Sequence, residues 1–87
     1  MKVNNMISSN GNAIPNQFFI RENSDVTWFQ SYNSMIARKT DCSLYLDETY
    51  WDYSRTTSKY RNQFTGLTTA ETKAGIKDGS IKLVDLN

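Results

Sequence analysis

The chain changes its hydrophobic period once, near Tyr53-Ser54, and that change divides it into a strand-forming part and a helix-forming part. Before this point apolar residues come in short runs rich in Phe, Trp, Tyr, Ile and Val, separated by clusters of Asn, Ser, Asp and Gly. After it, at about 100° per residue, Thr57, Tyr60 and Phe64 share one face of a helix. Arg55, Ser58, Lys59 and Asn62 share the opposite one. A chain of 87 residues written this way has room for one domain with a sheet first and helices second.

The strand boundaries follow from turn chemistry. Asn10-Gly11 is a strong hairpin signal, because both central residues of a type I′ turn need positive φ. It predicts Val3–Ser8 paired with Ala13–Ile20, with Pro15, the only proline, on an edge strand or at a strand entry. Phe18–Arg21 reads as strand and Glu22–Asp25 as a turn. Val26–Gln30 is apolar on both faces, which suits a central strand, and it continues through Tyr32 to Met35-Ile36-Ala37. The chain then turns at Arg38–Cys42 and returns through Ser43–Leu46.

Ser54 is the N-cap of a first helix that Gly66 stops. Thr68-Thr69-Ala70-Glu71 is a capping box for a second, shorter helix, whose interior Gly75 weakens and whose end is Asp78-Gly79. Ile81–Leu86 alternates and reads as a last strand. The expected fold is therefore α+β over residues 1–87: a small antiparallel sheet of about four to five strands, with two short helices inserted before the final strand. Residues 1–16, rich in Asn and Ser, form the edge hairpin or a partly flexible lead. The expected core is Phe18, Phe19, Trp28, Phe29, Ile36, Leu44, Leu46, Tyr60, Phe64, Leu83 and Leu86.

Composition restricts the chemistry. There is no histidine and a single cysteine, Cys42. That excludes Ser-His-Asp and Cys-His catalysis and leaves too few nitrogen and sulfur ligands for a zinc site. One cysteine also excludes an intramolecular disulfide and suits a reducing compartment. The carboxylates Asp47, Glu48 and Asp52 lie close in sequence, but their spacing matches no EF-hand loop, and so small a domain has little room for a substrate cleft. No metal and no cofactor is expected, and the chain reads as a non-enzyme. With ten Lys/Arg against nine Asp/Glu the charge is balanced, unlike that of a strongly basic nucleic-acid binder. No apolar run approaches the ~20 residues of a membrane span, so no membrane partner is expected.

Several segments together carry a resemblance: Phe29-Gln30-Ser31-Tyr32, Ile36-Ala37, Leu46-Asp47-Glu48, Tyr50-Trp51-Asp52-Tyr53-Ser54, Thr56-Thr57, Lys59-Tyr60-Arg61-Asn62 and Ile76-Lys77. The combined pattern resembles a family of small proteins of unknown function encoded mainly by bacteriophages and prophages. The similarity runs from Asn16 to the closing Leu86-Asn87. Relatives more often carry a leucine and a glutamate around positions 65–67, where this chain has Thr65-Gly66-Leu67, which implies an altered helix junction. The resemblance implies a setting, not an activity: a phage accessory protein in the cytoplasm of an infected host bacterium.

Three groups of residues are candidates for partner binding. The first is the aromatic and acidic block around Tyr50, Trp51 and Tyr53. Tyrosine and tryptophan dominate interface hot spots, although the same rings also suit a core beneath the first helix. The second is the polar face Arg55, Ser58, Lys59 and Asn62 at the helix N-terminal end, suited to a phosphate or an acidic partner, or simply to solvent. Arg61 flanks the apolar face and is placed to pair with Asp52. The third is Ser31-Tyr32-Asn33-Ser34, a contact loop or a strand bend. The expected function is binding of a host protein or ribonucleoprotein complex, in its most concrete form as an anti-defence, anti-CRISPR-like inhibitor. The alternatives are a nucleic-acid-binding accessory protein and a self-associating virion or scaffold component. An open edge at the N-terminal hairpin also leaves room for a homodimer.

Overall fold

The computed structural model describes residues 2–87. Five strands come first: β1 (Lys2–Ile7), β2 (Ala13–Arg21), β3 (Thr27–Ser31), β4 (Ser34–Lys39) and β5 (Leu44–Asp47). Two helices follow, α1 (Arg55–Thr65) and α2 (Thr69–Asp78), and then β6 (Ile81–Val84). The strands lie side by side in chain order in one six-stranded sheet. The α+β class and the helix pair before the last strand are as expected, with one strand more than the sequence suggested.

The extra strand comes from a hairpin that the sequence conceals. Tyr32 and Asn33 do not continue a long strand. They form a two-residue turn between the paired Ser31 and Ser34. Tyr32 takes the positive φ of 55° that this turn needs, a conformation in which glycine or asparagine is the usual signal. The first hairpin also closes differently from the expected type I′ turn. The Gly11 N–H donates to the Ser8 carbonyl (2.9 Å), the Ser8 N–H to the Asn12 carbonyl (2.9 Å), and in this loop only Gly11 has positive φ (83°). That is the three-residue loop with a left-handed glycine after the turn.

Pro15 lies in β2, which is not an edge strand. It is tolerated because the ladder jumps there from Asn5↔Phe18 to Ile7↔Ala13, leaving β2 residues unpaired in a bulge that Asn16 turns at φ 63°.

The last strand corrects the antiparallel expectation. β5 and β6 pair in parallel, Leu44↔Ile81 to Asp47↔Val84, whereas every other pair is antiparallel. The connection carrying α1 and α2 over one face returns the chain to the end from which β5 started, as a crossover between parallel strands must. α1 lies over β3 and β4, and α2 lies against β6.

The helix caps are those the sequence specifies. The Thr57 N–H donates to Ser54 Oγ at 3.1 Å, and Gly66 ends α1 at φ 77° with its N–H on the Asn62 carbonyl. The capping box is complete: Glu71 N–H to Thr68 Oγ1 (3.1 Å) and Thr68 N–H to Glu71 Oε1 (2.9 Å). Gly66, between Thr65 and Leu67, is what lets α1 stop and α2 start within a few residues.

The core sits between the sheet and the helices. Met6, Ile14, Phe29, Ile36, Ala37, Leu46 and Ile81 are buried there, with Phe19, Leu44, Tyr60 and Phe64 packed against them. Phe64 places its ring 5.8 Å from Phe19 and 5.9 Å from Phe29. Four expected core residues lie elsewhere. Leu83 is 38% exposed, Leu86 is half-buried in the tail after β6, and Phe18 and Trp28, half-buried, stand on the face of the sheet that carries no helix. For the last two the reason is register: Phe19↔Phe29 pairs on the helix side, so Phe18 and Ile20↔Trp28, one residue away, point the other way.

Candidate functional site

The segment joining β5 to α1 is fixed from both ends. At its start, the buried Asp47 carboxylate accepts the N–H groups of Thr49 (3.0 Å), Tyr50 (2.9 Å) and, from the C-terminal tail, Leu86 (2.9 Å). Burial pushes the Asp47 carboxyl up, but the N–H groups of Leu86, Tyr50 and Thr49 outweigh it and hold the pKa below the ordinary value.

At the other end stands Arg61, fully buried. Its guanidinium donates to the Trp51 carbonyl, to Asn62 Oδ1 (2.9 Å), to Thr69 Oγ1 (3.2 Å) and more weakly to Ser58 Oγ (3.4 Å). It forms an ion pair with Asp52 at 3.5 Å and lies 5.4 Å from the centre of the Trp51 ring. Burial lowers its pKa and Asp52 partly restores it. One side chain thus ties the 48–54 loop, α1 and the start of α2 together.

With the loop held, tyrosines from two distant parts of the chain meet. A hollow of about 490 Å³ is lined by Ser31, Tyr32, Asn33, Ser34, Ile36, Tyr50, Tyr53 and Thr57. Tyr32 is 56% exposed and Tyr53 69%. The Tyr50 and Tyr53 rings meet edge to face at 5.7 Å. At the base a chain of hydroxyls runs from Ser54 through Thr57 to Ser31, with both oxygen–oxygen distances 3.1 Å. The third sequence candidate, Ser31–Ser34, therefore joins the tyrosines of the first. Beside the base lies Gln17, the register partner of Ser31, 1% exposed and with no hydrogen-bond partner for its amide among the described residues.

The remaining predicted contact residues divide. Arg55 and Lys59 face solvent, Lys59 with its Nζ 5.3 Å from the Tyr60 ring centre. Ser58 and Asn62 are turned inward: Ser58 Oγ donates to Asp52 at 2.8 Å, and Asn62 donates to Thr69 Oγ1 at 3.1 Å while accepting from Arg61. Trp51 packs against the core and under Arg61, and Tyr50 packs against the core while lining the hollow. Cys42 is a free, exposed thiol in the β4–β5 turn.

Sequence reasoning missed the helix-free face. There the Arg38 guanidinium sits between two rings, 5.4 Å from Trp28 and 5.6 Å from Tyr45, with no carboxylate partner among the described residues. The indole N–H of Trp28 donates to Glu22 at 3.1 Å. The one signal in the sequence is alternation, which puts Trp28 and Gln30 on the face opposite Phe29; strand register then brings Arg38 and Tyr45 beside Trp28.

Residues 1–80 match the model of a family of unknown function, DUF8033. The chain belongs to that family. No curated protein and no solved structure matches this DUF8033 chain. No helix among its described residues is long and apolar enough to cross a membrane.

Proposed function

We propose that this DUF8033 protein is a non-enzymatic accessory protein that binds a host protein or ribonucleoprotein complex through the tyrosine hollow and through Arg55 and Lys59 on the exposed face of α1. The observation that carries the reading is the convergence of Tyr32, Tyr50 and Tyr53 on one hollow. Two of the three rings are more than half exposed, and Tyr32 is held at positive φ. Exposed tyrosines on a rigid scaffold give contact area at low entropic cost, the composition of interface hot spots. The hydroxyls at the base bond one another, and the chain has no imidazole to activate them as nucleophiles. The phage or prophage setting, and inhibition of a host defence complex such as CRISPR as the outcome, rest on the resemblance of the sequence alone.

The test is affinity capture from host lysate with and without nuclease, read by mass spectrometry. The expected result is a discrete protein complex that survives nuclease and is lost with Tyr53→Ala or with Arg55→Glu plus Lys59→Glu. Retention of the complex by all of these variants would show that the hollow is not the contact.

A second reading, single-stranded nucleic-acid binding, is favoured by one specific observation, the Arg38 guanidinium lying between the Trp28 and Tyr45 rings on an uncovered sheet face. Rings and cations on an open surface form a stacking platform for bases. It predicts oligonucleotide binding that weakens steeply with salt and is lost with Trp28→Ala. Capture that disappears with nuclease would favour this reading over the first.

A further inference from the structure

The two edges of the sheet are built differently. β6 has four residues with Lys82 in the middle, a charge on the strand that discourages pairing with another chain. β1 has six residues, no proline, and no charge beyond Lys2 at its start. It carries the exposed aliphatic side chains Val3 (58%) and Ile7 (51%).

The hydrogen-bond pattern determines which backbone groups this edge offers. In β2 the even-numbered residues bond towards β3: the Tyr32 N–H reaches the Asn16 carbonyl (2.7 Å) and the Glu22 N–H the Val26 carbonyl (3.0 Å). Phe19 and Arg21 therefore bond towards β1, through their partners Asn4 and Lys2. The Ser8 N–H, bonded to the Asn12 carbonyl, gives the same parity from the hairpin end. The N–H and C=O groups of Val3, Asn5 and Ile7 consequently point off the sheet. The Ile7 carbonyl is reached from outside the ladder by Gln63 Nε2 at 2.8 Å and keeps a second lone pair.

An antiparallel partner must set outward-pointing residues opposite outward-pointing residues. For a second β1, pairing about Asn5 does so along the whole strand: Asn5 meets Asn5, and Val3 meets Ile7 twice. This puts the four exposed aliphatic side chains of the two strands into cross-strand pairs on one face. It keeps the two Lys2 side chains at opposite ends.

We propose that β1 is a self-association edge, and that two copies of this chain join about Asn5 into one continuous sheet. The two-fold axis is normal to the sheet, so both helix pairs lie on one side and both Arg38 faces on the other. Two six-residue strands make an interface at the small end of the range for specific association, so the dimer dissociates on dilution.

Sedimentation of the full chain from micromolar to near-millimolar concentration tests this. The expected mass rises from 10.0 kDa towards twice that value, and the rise is lost with Val3→Lys plus Ile7→Lys. Both positions are exposed, so the variant keeps the wild-type circular dichroism and Tm. A second measurement uses Asn5→Cys in a Cys42→Ser background. Opposed residues of a hydrogen-bonded pair have Cα atoms about 5.5 Å apart, within disulfide reach. Mild oxidation is expected to cross-link it far faster than Lys82→Cys in the same background. A wild type that stays monomeric throughout, a lysine variant that associates equally well, or equal cross-linking at the two edges would each overturn the proposal.

Discussion

Replacing Arg61 with alanine tests whether one buried cation organises the candidate site. Each contact contributes differently. Asp52 is 44% exposed and rehydrates when its partner leaves, so the ion pair itself is worth about 0–1 kcal/mol. The Asn62–Thr69 bond at 3.1 Å survives without the guanidinium, so those two groups lose little. The Trp51 carbonyl has no such replacement, and a bond from a charged donor is worth about 1.5–3 kcal/mol. Removing a fully buried stem adds a cavity cost of about 1–2 kcal/mol after partial collapse. The sum is about 2.5–6 kcal/mol. A domain of this length has about 4–13 kcal/mol in all, at 0.05–0.15 kcal/mol per residue.

Urea unfolding followed by tryptophan fluorescence gives the number, because Trp51 lies against the mutated group. Arg61→Met keeps the stem and loses only the bonds, so it is expected to cost about two-thirds as much as alanine. Arg61→Lys keeps the charge but not the fork, and is expected to fall near methionine rather than near wild type. An alanine variant within about 0.5 kcal/mol of wild type, the range of ordinary surface substitutions, would refute the reasoning.

Two further predictions concern the scaffold. A Cβ on Gly75 would stand 2.5 Å from Ile81 Cδ1 and 2.8 Å from Cγ1. Gly75→Ala should therefore destabilise by about 1–3 kcal/mol despite its better helix propensity, and Ile81→Val should recover part of the loss in thermal melts. Asp47 has a folded-state pKa below its unfolded value. Its stabilisation is thus complete above the unfolded carboxyl pKa of about 3.9 and is lost as pH falls through the folded value. Denaturant midpoints against pH should show Asp47→Asn less stable than wild type at neutral pH, with the gap closing in acid. A gap independent of pH would mean the ionised carboxylate is not what the three N–H groups require.

The sequence determined the local structure, and with it the lower half of the candidate site. Ser54, Gly66, Thr68 with Glu71, and Gly79 each act on backbone groups within a few residues, so their caps form as written. The same holds for Arg61 and Asp52, which about two helical turns and a short loop bring together. The β3–β4 hairpin was hidden because a tyrosine occupies its left-handed position, and tyrosine is no turn signal.

Tertiary structure alone decided the rest. Alternation tells which residues share a face but not whether a face is covered, so Phe18 and Trp28 looked like core until the helices were seen to lie on the other side. It is equally silent about strand direction, which the path of α1 and α2 set for β6. The hollow shared by Tyr32, Tyr50 and Tyr53 depends on α1 crossing β3 and β4, a long-range packing choice made by Phe19, Phe29 and Phe64. Short-range bonds can be read from neighbouring letters. The coverage of a sheet face depends on the free energy of the whole packed chain.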